Sequence, residues 1–145
     1  MQGFPHYYKV LAAADVDGDV NLSGGSLVHI PTAPPEEFGG PGDKWSPETL
    51  LVASVASCFI LSFRAVARAS KLPWISLTTE LEGTLQRHDG MTKFTQFTVN
   101  ATLRVPEQAN IDRAHRILEK AEETCLITNS LNAETRLEAT IVNEF

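Results

Sequence analysis

Between Thr49 and Phe63 the chain carries fifteen residues without a single charge, and Ser46-Pro47-Glu48 stands directly before them. Ser46 is suited to accept from the free N–H groups of a first helical turn. Pro47 is tolerated at the first helical position, where no N–H is needed, and Glu48 complements the positive end of the helix dipole. The spacing predicts a helix from Pro47 to about Ser70, ended by Pro73. A helix that is apolar over so wide a surface must be covered by the rest of its own chain or by a second one. The uncharged run is too short for a bilayer span, which needs about 20 residues, so the expectation is a buried helix and no membrane association.

At 145 residues the chain fits a single domain, 1–145, with room for one core. Its net charge of −6 argues against a broad nucleic-acid or anionic-membrane surface. Met1 to Tyr7 has no basic start or apolar stretch of a leader peptide. The two cysteines, Cys58 and Cys125, are no secreted disulfide framework. A reducing cytoplasmic location follows as the expectation, and an isolated pair there is either inert or catalytic.

Before the helix, Tyr7–Ala14 and Val20–Ile30 read as strands around the turn Asp15-Val16-Asp17-Gly18-Asp19. Pro31 to Asp43, with four prolines and three glycines, reads as a loop. After the helix, Ile75–Gly83 and Phe97–Val105 alternate with a two-residue period about a turn at Arg87-His88-Asp89-Gly90. Ile111, Ala114, Ile117, Leu118, Ala121 and Cys125 then recur at helical spacing, which puts Cys125 on a core-facing stripe. Thr135, Leu137, Ala139 and Ile141 form a last alternating strand. The order defines an α+β domain.

Ser46-Pro47-Glu48-Thr49-Leu50-Leu51, then Ala53 and Ala56-Ser57-Cys58-Phe59, and finally Glu122-Glu123-Thr124-Cys125-Leu126-Ile127-Thr128-Asn129-Ser130, resemble the OsmC/Ohr family of organic hydroperoxide resistance proteins. The match in element order covers nearly the whole chain. The resemblance implies antiparallel sheets wrapped around two long central helices in an intertwined homodimer. It also implies a cysteine-dependent peroxidase that reduces organic hydroperoxides to alcohols in the oxidative stress response. Cys58 would be the peroxidatic thiol, Cys125 the resolving thiol and Glu48 the site glutamate. An external dithiol, a lipoylated or thioredoxin-like protein, would be the reductant, and no cofactor is called for. The resemblance to a dimer agrees with helix geometry. Ten residues separate Glu48 from Cys58 by about 15 Å along one helix, so two antiparallel copies would bring them to one site.

One departure stands out. The family's peroxidases carry an activating arginine before the long helix, and this chain has no arginine before Arg64. Lys9, His29 and Lys44 are the cations of the matching region, and Lys44 or His29 is the candidate replacement. Neither supplies the planar fork of a guanidinium. The alternative function is therefore an OsmC-type protein that binds a small apolar ligand, or acts in stress, without efficient turnover.

Simpler roles exist for each residue. Cys58 and Cys125 would also serve as small core hydrophobes, and Glu48 as a dipole partner alone. Trp45 would either staple the helix start or line a substrate pocket with Phe59. His6, His29, His88 and His115 lack metal-ligand spacing, so no metal site is expected.

Overall fold

A computed structural model describes residues 1–144 as two compact units, Met1–Leu50 and the remainder from Leu51. The first holds a three-stranded antiparallel sheet of β1 (Leu11–Ala13), β2 (Val20–Ser23) and β3 (Ile30–Thr32), in that order. The aspartate-rich turn joins β1 to β2, and Gly18 takes there a φ of 95° that L side chains resist. The predicted returning strand breaks at Gly24, where Leu27 N donates to Gly24 O at 2.9 Å. Thr32 Oγ1 donates to Val20 O at 2.9 Å and pins β3 to β2.

The proline-rich loop is held by its own backbone. A 3₁₀ turn at Glu36–Phe38 closes on Gly39, whose N–H donates to Glu36 O at 2.9 Å. A Cβ on Gly40 would lie 1.6 Å from Pro34 O, so no other residue fits there. Ala33 N donates to Trp45 O at 3.0 Å, which sets Ser46 at the helix start.

Helix α1 (Pro47–Ser70) begins as the sequence predicts. Thr49 N donates to Ser46 Oγ at 3.1 Å and Ser46 N to Thr49 Oγ1 at 2.8 Å, a reciprocal capping box with threonine in the glutamate's usual place. It ends at Ser70, where the sequence reading puts it. Lys71 adopts a left-handed φ of 55°, and Leu72 N donates to Ala67 O at 3.0 Å, which satisfies a terminal carbonyl. By length and composition the whole 24-residue helix reaches the minimum for a membrane span, unlike its uncharged part alone. Its stripe Val55, Phe59, Phe63 and Ala67 is nonetheless buried in the protein.

The second unit is built on β4 (Ser76–His88), β5 (Met91–Pro106) and β6 (Glu134–Glu144). Asp89 and Gly90, both at positive φ, make the tight β4–β5 hairpin. Strand β5 supplies Val99, Ala101, Leu103 and Val105 to the core, against Phe59 and Phe63 of α1 and Ala114, Ile117, Leu118 and Ala121 of α2 (Ile111–Glu123). Phe94 and Phe97 stack with centroids 5.3 Å apart.

Two expectations are revised. The second sheet is mixed, because β6 runs parallel to β5 in register Gln96↔Glu134. The chain reaches β6 through α2 and the single-turn helix α3 (Leu126–Asn129), and such a crossover returns a strand in the same direction. And α2 spans 13 residues and stops before Cys125, which the spacing places on its stripe. Thr124 N and Oγ1 both donate to Lys120 O, at 3.0 and 2.8 Å, and the chain turns there.

Candidate functional site

Cys58 and Cys125 meet in the second unit. Cys58 sits on α1 one position before Phe59 of the buried stripe, half-buried, with Ser62 Oγ one turn on at 3.9 Å from its Sγ. Cys125 is 1% exposed and caps α3. The polar residues around it fold this turn. Asn129 N and Thr128 Oγ1 donate to Cys125 O at 3.0 and 3.1 Å, Asn129 Nδ2 to Glu123 O at 3.0 Å, and Ser130 Oγ to Leu126 O at 2.8 Å. The Thr-Cys-Leu-Ile-Thr-Asn-Ser segment thus has a mechanical reading: its hydroxyls and amide tie down a tight turn whose first N–H groups are left free for another acceptor.

That acceptor is Cys58. Partial burial pushes its thiol upward, but the Ile127 N–H, the Cys125 thiol, the Ser62 hydroxyl and the Leu126 N–H together favour the thiolate and hold the net value below that of an ordinary thiol. Among these donors the Ile127 N–H lowers it most, then the Cys125 thiol, then Ser62 and the Leu126 N–H. Burial pushes the Cys125 thiol upward, Thr128 offsets part of this, and neighbouring Cys58 adds to the rise. The two thiols are thereby unequal. Cys58 is the more acidic of the two, and the Cys125 thiol is one of its donors. A thiolate is the nucleophilic form of cysteine, so Cys58 is the more reactive of the pair.

The first unit holds a cavity of about 410 Å³ between β2, β3, the proline-rich loop and the helix start, lined by Val20, Leu22, Pro35, Phe38 and Leu50 among others. Glu48 is the one ionisable residue in its wall, and its Oε1 is buried without a hydrogen-bond partner. Neither Phe59 nor Trp45 is in the wall of this cavity. Phe59 is 1% exposed within the core of the second unit, because it shares the buried stripe with Val55 and Phe63. Trp45 engages through its backbone and leaves its side chain 52% exposed. Lys44 Nζ lies 3.6 Å from Asp19 Oδ2, and His29 is exposed before β3. Among the described residues no ion pair reaches Glu48.

The backbone donors of Leu126 and Ile127, and Ser62, were not among the residues the sequence singled out. Ser62, four residues after Cys58, was legible as a neighbour on the same helix face. The backbone donors carry no side-chain signal, although Thr128 and Asn129 at three and four residues past Cys125 mark the turn.

An α+β chain with a thiol pair set between its long helix and a capped turn defines a class, and sequence comparison agrees with it. The OsmC-like protein family model matches residues 40–140, and the chain belongs to that family. It is 29% identical over 112 residues to the uncharacterized protein YmaD of Bacillus subtilis, covering 74% of this chain and 75% of that one. Among solved structures, an OsmC-like protein of unknown function from Vibrio cholerae has a TM-score of 0.86 at 16% identity, over 94% of this chain and 100% of that one. An organic hydroperoxide resistance protein from Legionella pneumophila has a TM-score of 0.75 at 23% identity, over 96% and 98%. These likenesses establish the fold.

Proposed function

We propose that the protein is a thiol peroxidase that reduces organic hydroperoxides through Cys58 and Cys125. The observation that carries this reading is the asymmetry of the pair: a half-buried Cys58 whose thiolate is favoured by four donors, one of them the Cys125 thiol. Membership in a family with hydroperoxide resistance proteins among its members supports it.

The Cys58 thiolate attacks the outer peroxide oxygen, the O–O bond breaks, and the leaving alkoxide takes a proton to become the alcohol. Cys58 is then a sulfenic acid. The Cys125 sulfur attacks it, water leaves and a disulfide forms. An external dithiol reduces that disulfide and becomes oxidised in turn. Thiolate stabilisation rests on hydrogen bonds without a side-chain cation within ion-pair distance of Glu48, which implies turnover slower than that of a peroxidase with an arginine.

The working form in this reading is a cytoplasmic homodimer. Leu61 on α1 is 56% exposed, and only 22% of the helix's most apolar window is buried within one chain, which leaves apolar surface for a second copy. Scattering or sedimentation tests this, and a monomer at micromolar concentration would exclude it.

The missing ion pair at Glu48 favours the second reading, a ligand-binding protein without efficient turnover. Titration of free thiols after one equivalent of cumene hydroperoxide separates the two. The peroxidase loses both thiols of each chain rapidly, and the binding protein keeps them.

A further inference from the structure

Once Cys58 and Cys125 are joined, an external thiolate has two sulfurs to choose between. Displacement at sulfur runs in line, so the nucleophile arrives on the side opposite the bond that breaks. Attack on Cys125 would come from behind that residue, which is 1% exposed. A second copy of the chain can only lower that figure. Cys58 is half-buried. Its resolution by Cys125 displaces water from the far side of the Cys58 sulfur, so the side left open is the one the peroxide oxygen occupied.

Leaving ability argues the other way. Burial raises the Cys125 thiol, and the more acidic Cys58 departs faster. That preference is graded, whereas a buried sulfur offers no approach. The fold also reduces it. The Thr128 N–H and hydroxyl both favour the Cys125 thiolate, and the hydroxyl is anchored beside that residue by its 3.1 Å bond to Cys125 O.

We infer that the disulfide is reopened at Cys58: the external thiolate bonds to the Cys58 sulfur, and Cys125 departs with the electron pair of the S–S bond, its sulfur received by Thr128. The departed Cys125 takes up a proton, which burial favours, and a thiol does not attack back. The second thiolate of the reductant then attacks the reductant sulfur bound to Cys58 and expels the Cys58 thiolate. The dithiol leaves as a cyclic disulfide, and its two electrons and two protons pass to the pair. The inference rests on the redox reading of the two cysteines and adds Thr128 as a positioning residue for the return half of the cycle.

The test starts from the disulfide made with diamide, so no peroxide is involved. The oxidised protein is opened with excess 2-mercaptoethanol, quenched with acid at successive times and mapped by peptide mass. The adduct is expected on Cys58 with Cys125 free, about tenfold or more over the reverse arrangement. Adduct on Cys125 in equal or greater amount would overturn the inference, and so would opening with no adduct on Cys58 at any time. Thr128→Val is expected to slow reduction by dithiothreitol about three- to tenfold, the share of one hydrogen bond to a leaving thiolate. Thr128→Ser should restore the rate, and both variants should keep the parent's pH profile of Cys58 alkylation. Slowing of reduction and alkylation together would mark a merely structural turn and remove Thr128 from the mechanism. If Thr128→Val misfolds, the adduct map on the unaltered protein decides the matter. Diamide linking the cysteines where cumene hydroperoxide does not would defeat the peroxidase reading alone, and diamide failing to link them would defeat both.

Discussion

Replacing Cys125 by alanine removes the resolving thiol and also one of the four donors that favour the Cys58 thiolate. A well-formed hydrogen bond to a charged group contributes about 1.5–3 kcal/mol. The thiol is a weak donor in loose geometry, so about 0.5–1 kcal/mol is the reasonable share. Losing it raises the Cys58 pKa. The sign follows from what is lost: the donor favours the charged form, so the acid is weaker without it. Alkylation by iodoacetamide, followed at the Cys58 peptide by mass spectrometry across pH, reads the shift. The parent rate is expected to rise through a midpoint below that of an ordinary thiol, the Cys125→Ala midpoint to lie higher, and Cys125→Ser, which keeps a donor, to stay near the parent. At pH 7 the alkylation rate of the alanine variant should fall about two- to fivefold, the factor that ~0.5–1 kcal/mol represents. An unchanged or lower midpoint in Cys125→Ala would refute the claim that Cys125 acts on Cys58 in the reduced protein.

Three further substitutions test the scaffold by chemical denaturation. Ser46→Ala removes the side chain that accepts from Thr49 N and should cost about 1 kcal/mol; no loss would mean that α1 does not rely on its capping box. Gly83→Ala would bring a methyl to 2.8 Å from Val52 Cγ2, 3.0 Å from Phe94 Cε1 and 3.1 Å from Phe97 Cε1. Overpacking of about 1–3 kcal/mol, reduced by the better strand propensity of alanine, should leave a net loss of about 1 kcal/mol; a gain would mean that the two rings yield freely. Lys71→Gly relieves the left-handed backbone at the end of α1, and the protein should become about 0.5–1 kcal/mol more stable after the added freedom of the unfolded chain is subtracted.

The long helix was legible in the sequence because its signals are local: a capping serine, a proline at the first position and an uncharged run. Its end at Ser70 was legible too, although the left-handed turn at Lys71 that closes it was not, since lysine gives no reason to expect that conformation. The direction of β6 was not legible, since alternation of Thr135, Leu137, Ala139 and Ile141 reports which residues share a face and not which way the neighbouring strand runs. Cys125 was placed on a helix by a spacing that continues one turn too far. It is buried all the same, as the cap of the next turn. Of the site, the two thiols were legible as residue types in a family pattern. The N–H groups of Leu126 and Ile127 were not, because a backbone donor is created by a turn and has no letter of its own. Phe59 and Trp45 were grouped as pocket residues by nearness to Cys58 and Glu48 in sequence. On a helix, adjacent residues face different ways, and Phe59 turns into the core while Cys58 does not.

The most direct test of the account is the covalent fate of the two thiols. The fully reduced protein is mixed with one equivalent of cumene hydroperoxide, quenched rapidly by acid, alkylated and analysed by intact mass and peptide mapping. The account predicts that each chain loses two hydrogens with no oxygen retained, that a Cys58–Cys125 disulfide links the two peptides, and that Cys58→Ser abolishes the reaction while Cys125→Ala stops at the Cys58 sulfenic acid. Both thiols alkylated as in the untreated protein, or oxidation falling first on Cys125, would contradict it.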